Sequence, residues 1–156
     1  MPAKPIPDGY HSLTPYLIIR DCAKAIDFYK QVFGATEIAR MPGPGGGIMH
    51  AELRIGDSVL MVRDENIAWG DFSPQHLNGS AGQVFVYDPA VDAVYARALA
   101  AGAKSILEPQ DMFWGDRFAK FADPFGHNWA VATHIKDMTM AEIQEASKAF
   151  FAQMQQ

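Results

Sequence analysis

The stretch Phe113-Trp114-Gly115-Asp116-Arg117-Phe118-Ala119-Lys120-Phe121-Ala122-Asp123-Pro124-Phe125-Gly126-His127-Asn128-Trp129-Ala130-Val131-Ala132-Thr133-His134 decides the fold. It reads as two strands joined by a tight turn. Asp123-Pro124-Phe125-Gly126 is the turn, because proline presets φ and glycine takes positive φ without steric cost. Residues 117–121 and 128–133 are rich in aromatic, small and β-branched side chains, which suits a half-buried hairpin. Asp116, Arg117, His127 and Asn128 add more polar groups than a hairpin needs merely to close a core.

Upstream of this hairpin, residues 83–87 read as a strand. Asp88-Pro89 reads as an N-cap followed by proline at the first helical position. Val91, Val94, Tyr95, Ala98 and Leu99 then form a helix face that Gly102 ends, and residues 104–109 form a strand. The same order occurs earlier in the chain. Residues 12–20 predict a strand, Asp21 has capping chemistry, and 22–33 predict a helix with Ile26, Tyr29 and Phe33 on its apolar face and Gly34 as its stop. Strands follow over 36–40, 48–55 and 58–63, the last two joined at Gly56-Asp57. Asp21 matches Asp88, Gly34-Ala35 matches Gly102-Ala103, and Gly56 matches Gly126, all at an offset of roughly 70 residues. Each half therefore reads βαβββ.

The glycine-rich run 41–47 between two of these strands lacks a Gly-Lys-Ser/Thr ending and precedes no helix, so it reads as a hairpin loop rather than a phosphate cradle. The expected division is an N-terminal arm over 1–11, a first module over 12–64, a linker over 65–81, a second module over 82–134 and a C-terminal helical segment over 135–156. Thr139-Met140-Ala141-Glu142 is a capping box, and Ile143, Ala146, Phe150 and Met154 follow it at helical spacing.

Composition narrows the function classes. The chain has 156 residues, 49% of them hydrophobic and 20% charged, as one domain or two small fused modules would. A net charge of -5 without a basic stripe argues against a nucleic-acid partner. Cys22 is the lone cysteine, which excludes an internal disulfide and a thiolate metal cluster and suits a reducing compartment. No apolar run is long enough for a bilayer, and residues 1–8 lack a signal-peptide core, so a cytoplasmic protein without a membrane partner is expected.

The segment Phe113-Trp114-Gly115-Asp116-Arg117, a strand, and then Asp123-Pro124-Phe125-Gly126-His127-Asn128-Trp129 resembles the last hairpin of the vicinal oxygen chelate superfamily, which unites glyoxalases, bleomycin-resistance proteins and extradiol dioxygenases. The resemblance implies an α+β fold: two tandem βαβββ modules forming a curved mixed sheet with a concave cleft, plus here a C-terminal helix. It also implies a homodimer. The metal enzymes of the superfamily place His and Glu ligands on the first and last strands of each module. Carried over, these positions fall near Thr14, Leu60 or Met61, Gly82 or Gln83, and Ala130, none of which is His, Asp or Glu. No metal and no cofactor are expected.

Site candidates then come from the side chains. Four strands with one helix leave a sheet face to line a cavity or be covered otherwise. His50 and Glu52 lie two apart on a strand, on one face and about 7 Å apart. Met49, Ala51, Leu53 and Ile55 make the other face apolar, so His50 and Glu52 point to the cleft or solvent. They can act as an acid-base pair, hold a non-standard metal with a third ligand such as His127 or His134, or form a solvated strand face. Trp114, Asp116 and Arg117 suit a planar or anionic ligand by stacking and bidentate bonding, and an Asp-Arg pair fixing the hairpin is the plain alternative. Tyr16 has the parity to line the cleft. Two functions remain open: a binding protein for a small aromatic or anionic molecule, or a lyase or isomerase of a small oxygenated substrate using His50 and Glu52.

Overall fold

The structure, a computed structural model, describes residues 3–155. The chain divides into two compact units. Unit 1 comprises the residues up to Gly82 together with Asp123–His127, and unit 2 comprises Gln83–Ala122 and the residues from Asn128 on.

Unit 1 contains β1 (Tyr16–Ile19), α1 (Cys22–Phe33), β2 (Thr36–Pro42), β3 (Ile48–Ile55) and β4 (Ser58–Asp64). They form a four-stranded sheet in the order β1-β4-β3-β2, with β1 parallel to β4 and the other pairs antiparallel. Helix α1 packs on β1, β3 and β4. Its Ile26, Tyr29 and Val32 are fully buried, as are Ile19, Ala51, Leu53 and Val62 of the strands. Alternation along β3 follows: Ala51 and Leu53 turn to the helix, so His50 and Glu52 turn to the opposite face. Strand β1 is shorter than the expected 12–20, since Pro15 has no N–H to give a ladder and Leu13 is 89% exposed.

The start of α1 departs from the sequence reading. Asp21 sits in the left-handed region (φ 70°, ψ 48°) and makes no cap. Its carboxylate takes Lys24 Nζ instead, at 2.9 Å. Asp64, the last residue of β4, caps α1: its Oδ1 accepts from Cys22 N at 2.8 Å and its Oδ2 from Ile48 N at 2.6 Å. A carboxylate from a distant strand fills the role expected of the neighbour in sequence.

Residues 65–81 hold a 3-10 turn at Ile67–Trp69 and the short helix α2 (Pro74–Leu77). Ser73 caps α2, accepting from His76 N at 3.2 Å while its own hydroxyl donates to Glu65 at 2.7 Å. In the turn Asp123–His127, the Asp123 carboxylate accepts from Phe125 N at 3.0 Å, His127 N at 2.9 Å and the Tyr29 phenol at 2.7 Å. His127 Nε2 donates to the Ile18 carbonyl at 2.9 Å. Gly126 has φ 92°, and a Cβ there would lie 2.8 Å from Pro74 Cβ.

Unit 2 contains β5 (Gln83–Tyr87), α3 (Val91–Ala100), β6 (Lys104–Asp111), β7 (Asp116–Ala122), β8 (Asn128–His134) and α4 (Met140–Met154). Its sheet has the order β5-β8-β7-β6, again with the first and last strands parallel neighbours. Helix α3 packs on β6, β7 and β8. Val94, Ala98, Trp129 and Val131 are fully buried.

The helix start differs here too. Asp88 is not the N-cap. It closes a short turn by accepting from Ala90 N at 2.8 Å, and α3 begins only at Val91. The first helical N–H, that of Val91, donates to Thr133 Oγ1 at 3.0 Å, and that hydroxyl donates to the Asp88 carbonyl at 2.6 Å. Thr133 stands near the end of β8 as Asp64 stands at the end of β4, so both units cap their crossover helix from their last strand. Helix α4 opens with the predicted capping box of Thr139 and Glu142. The segment before it crosses Gly115 closely: Ile135 N and Lys136 N both donate to Gly115 O, at 2.9 and 3.0 Å.

Candidate functional site

Unit 2 carries a cavity of about 460 Å³ between the start of α4 and the face of the sheet turned away from α3. Tyr87 and Trp114 give it aromatic walls, and Met138 and Ile143 add apolar surface. Asp116, Asp137 and Glu142 supply its carboxyl groups and His134 its imidazole. Asp116 opens β7 and is 3% exposed. Burial of a carboxylate demands donors, and three converge on it. Trp114 Nε1 donates to Oδ2 at 3.0 Å, the Tyr87 phenol to Oδ2 at 3.2 Å, and His134 Nδ1 to Oδ1 at 2.7 Å. His134 Nε2 donates to Asp137 Oδ1 at 2.9 Å. A carboxylate faces each ring nitrogen of His134: the bond to Asp116, and then that to Asp137, raises its pKa above the usual histidine value.

The aromatic walls continue across the sheet. Trp114 meets Phe118 edge-on at 5.4 Å, Phe118 lies against Phe85 at 5.8 Å, and Phe85 lies against Tyr87 at 5.0 Å. Leu107 and Met112 fill in beneath, against Phe118, Ala130 and Ala132. Phe85 and Tyr87 remain 44% and 65% exposed.

The sequence singled out Trp114, Asp116 and Arg117 together, and the structure brings together only the first two. Arg117, one residue along β7, points to the other face. Its Nε and second terminal nitrogen bind Asp92 of α3 at 2.6 and 2.8 Å, and its remaining nitrogen binds Asp111 at 2.9 Å. These two carboxylates hold it firmly charged. Tyr87, His134 and Asp137 were not expected at this site. Tyr87 shares parity with Phe85 on β5, a signal that alternation alone could have supplied. The closeness of His134 and Asp137 to Asp116 depends on the path taken after β8.

In unit 1 the structure brings Tyr16, His50 and Glu52 together. The register aligns Tyr16 of β1 with Met61 of β4, and Met61 with Glu52 of β3. The Tyr16 side chain reaches across the intervening strand, a span of roughly 10 Å between β1 and β3. The phenol donates to His50 Nδ1 at 2.8 Å, and His50 Nε2 donates to Glu52 Oε1 at 3.0 Å. The tautomer follows from the partners, because an ionised carboxylate only accepts. Tyr10, from the arm, donates its phenol proton to Glu52 Oε2. That bond and the one from His50 keep the Glu52 carboxyl below its ordinary pKa. Burial pushes the Tyr16 phenol up, with Arg63 beside it pulling the other way. Tyr10 belongs to the N-terminal arm, and nothing local in the sequence ties it to Glu52.

Neither centre has the donor set of a divalent metal site. Among the described residues, no three His, Cys, Asp or Glu side chains gather around one point. Tyr16, Met61, Phe85 and Ala130, which face one another across the parallel strand pairs, carry no imidazole or carboxylate. The residues present do not fit the metal that the superfamily's enzymes hold.

Two βαβββ units with mixed four-stranded sheets define the class of protein, and sequence comparison names it. The signature of the Glyoxalase/Bleomycin resistance protein/Dioxygenase superfamily matches residues 10–131, and the chain belongs to that superfamily. Uncharacterized protein Mb0911c of Mycobacterium bovis is 40% identical over 138 residues, 86% of this chain and 91% of that one. Anthracycline biosynthesis protein DnrV of Streptomyces peucetius is 31% identical over 118 residues, 71% of this chain and 42% of that one. Among solved structures, TioX from Micromonospora sp. ML1 superposes with a TM-score of 0.62 at 31% identity, covering 80% of this chain and 99% of TioX.

Proposed function

We propose that the chain binds a small planar aromatic molecule in the unit 2 cavity without a metal and without chemistry there. The observation that carries this reading is the Asp116–His134 pair, set by Trp114 and Tyr87 between aromatic walls. A preorganised polar pair in an apolar pocket orients a ligand at low entropic cost. An anionic ligand is less suited, since Asp116, Asp137 and Glu142 outnumber His134 at the cavity and Arg117 is held by Asp92 and Asp111. The name of DnrV places that relative in anthracycline biosynthesis, and an anthracycline has the planar aromatic character required. Assembly as a homodimer belongs to the same proposal, and sedimentation tests it.

Calorimetric titration with an anthracycline, and with naphthalene-2-carboxylate as the anionic comparison, tests the reading. Trp114→Ala should weaken the anthracycline about tenfold or more, ~1.4 kcal/mol. Arg117→Ala should leave its affinity unchanged. Tighter binding of the carboxylate, or a loss with Arg117→Ala equal to that with Trp114→Ala, would reverse the assignment.

The hydrogen-bonded chain in unit 1 favours a second reading: a lyase or isomerase acting on a small oxygenated substrate, with His50 and Glu52 moving a proton.

A further inference from the structure

We propose that Tyr16, His50 and Glu52 form a proton-transfer triad in unit 1, with the Tyr16 phenol as the group that meets the substrate. This rests on the second reading above and changes its assignment: His50 accepts through Tyr16, and Glu52 positions His50. The geometry has the order of a nucleophile, base and orienting acid. Tyr16 O–H points at His50 Nδ1 over 2.8 Å, and His50 Nε2–H points at Glu52 over 3.0 Å. Exposure grades along the chain in the same direction. The Glu52 and His50 side chains are 15% and 28% exposed, and Tyr16 is 43% exposed as a whole residue. A substrate therefore meets the phenol before the imidazole. The ring of Tyr16 is also held edge-on against His50, at 5.4 Å and 78°. Tyr10 binds the second oxygen of Glu52, so this carboxylate is turned to His50 by a partner that does nothing else in the network.

The step balances with these groups alone. The Tyr16 oxygen takes a proton from an O–H, or from a C–H beside a carbonyl. Its own proton passes to His50 Nδ1. The electron pair of a broken C–H bond moves into the carbonyl as an enolate, and Glu52 stabilises the imidazolium formed. His50 returns its proton when product forms. The class of substrate is thus a small carbonyl or hydroxyl compound with an acidic hydrogen. The Arg63 guanidinium also lies close to the Tyr16 phenol, paired with Asp71 at 3.1 Å.

An activated phenol is detectable without knowing the substrate. p-Nitrophenyl acetate is the probe, applied to the full chain at neutral pH. The Tyr16 oxygen attacks the ester carbonyl, p-nitrophenolate leaves, and the phenol proton goes to His50. Peptide mapping then gives the acetylation rate of each tyrosine. Tyr16 should react roughly a hundredfold faster than Tyr87, although Tyr87 is the more exposed. His50→Gln and Glu52→Gln should each bring Tyr16 down to the rate of Tyr87, with unchanged circular dichroism. Equal rates for Tyr16 and Tyr87 in the unaltered protein, or a fast Tyr16 in folded Glu52→Gln, would overturn the triad. Deuterium exchange into hydroxyacetone, followed by proton NMR, separates the two levels. A reactive Tyr16 without exchange keeps the triad and removes the lyase or isomerase reading.

Discussion

His134 holds Asp116 with one nitrogen and Asp137 with the other, and so ties the end of β8 to the segment that leads into α4. Its pKa lies above the ordinary 6.5. The stabilisation is therefore complete below that value and is lost as pH rises through the raised one. Tyr87, Asp116, Asp137 and Glu142 line the cavity with it, and the Lys136 charge acts on Glu142. Amide hydrogen exchange over residues 135–139 should accelerate, beyond its intrinsic increase, as pH rises through the raised pKa of His134, and His134→Asn should abolish that extra rise. A purely intrinsic slope in the unaltered protein would contradict the clamp. Glu65 behaves oppositely. Arg20, and then Ser73, hold its carboxyl down to about 2. The contribution it makes is present above the normal carboxylate range and disappears as pH falls toward that value. Glu65→Gln should therefore lower the urea midpoint at pH 7 and make little difference near pH 2. The residue scale is also where the sequence was least legible. Asp116, Trp114, His50, Glu52 and Tyr16 were singled out by type and strand parity. Their partners come from other segments: strand alternation could have pointed to Tyr87, beside Phe85 on β5, but no one-dimensional spacing ties Tyr10 to Glu52 or Asp137 to Asp116.

At the scale of elements, strands and helices followed from alternation and helical spacing, and the starts of α1 and α3 did not. The helix over 22–33 and the strand over 83–87 match what periodicity predicts. The capping box of α4 matches too, whereas the caps of α1 and α3 do not, because an Asp directly ahead of a helix reads as its cap whatever lies across the sheet. Asp64 in fact caps α1 and also takes Ile48 N. Asp64→Ala should cost about 1–2 kcal/mol, more than Asp21→Ala, and chemical denaturation of both variants checks the order. Gly115 marks a second junction that residue type alone does not reveal. Its φ is +100°, and an added Cβ would lie 2.2 Å from Lys136 O. Backbone rather than a flexible side chain stands there. Gly115→Ala should therefore destabilise unit 2 by about 1–3 kcal/mol, with the fluorescence of Trp114 reporting the change. The corresponding change at Gly56, where a Cβ meets nothing within 4 Å, should be milder even though φ is also positive.

For the molecule as a whole, duplication was legible because it leaves repeated glycine and aspartate landmarks, and each copy does build one mixed four-stranded sheet. The chemistry was less legible because the copies have diverged on the sheet face away from the helix. Unit 1 carries Tyr16, His50 and Glu52 there, and unit 2 carries Phe85 and Phe118 with Asp116 at the margin. Because neither set suits a divalent ion, dialysis against a chelator should change neither the anthracycline affinity nor the melting temperature. A drop restored by added zinc or manganese would refute the metal-free reading. The caps borrowed from the fourth strands have a further consequence for biosynthesis. A nascent chain emerging from the ribosome can coil residues 22–33 early, but the N–H of Cys22 stays uncapped until residue 64 has been made, and the same holds for Val91 and Thr133. Each half thus matures in one late step, when its final strand arrives, rather than by accretion from its beginning.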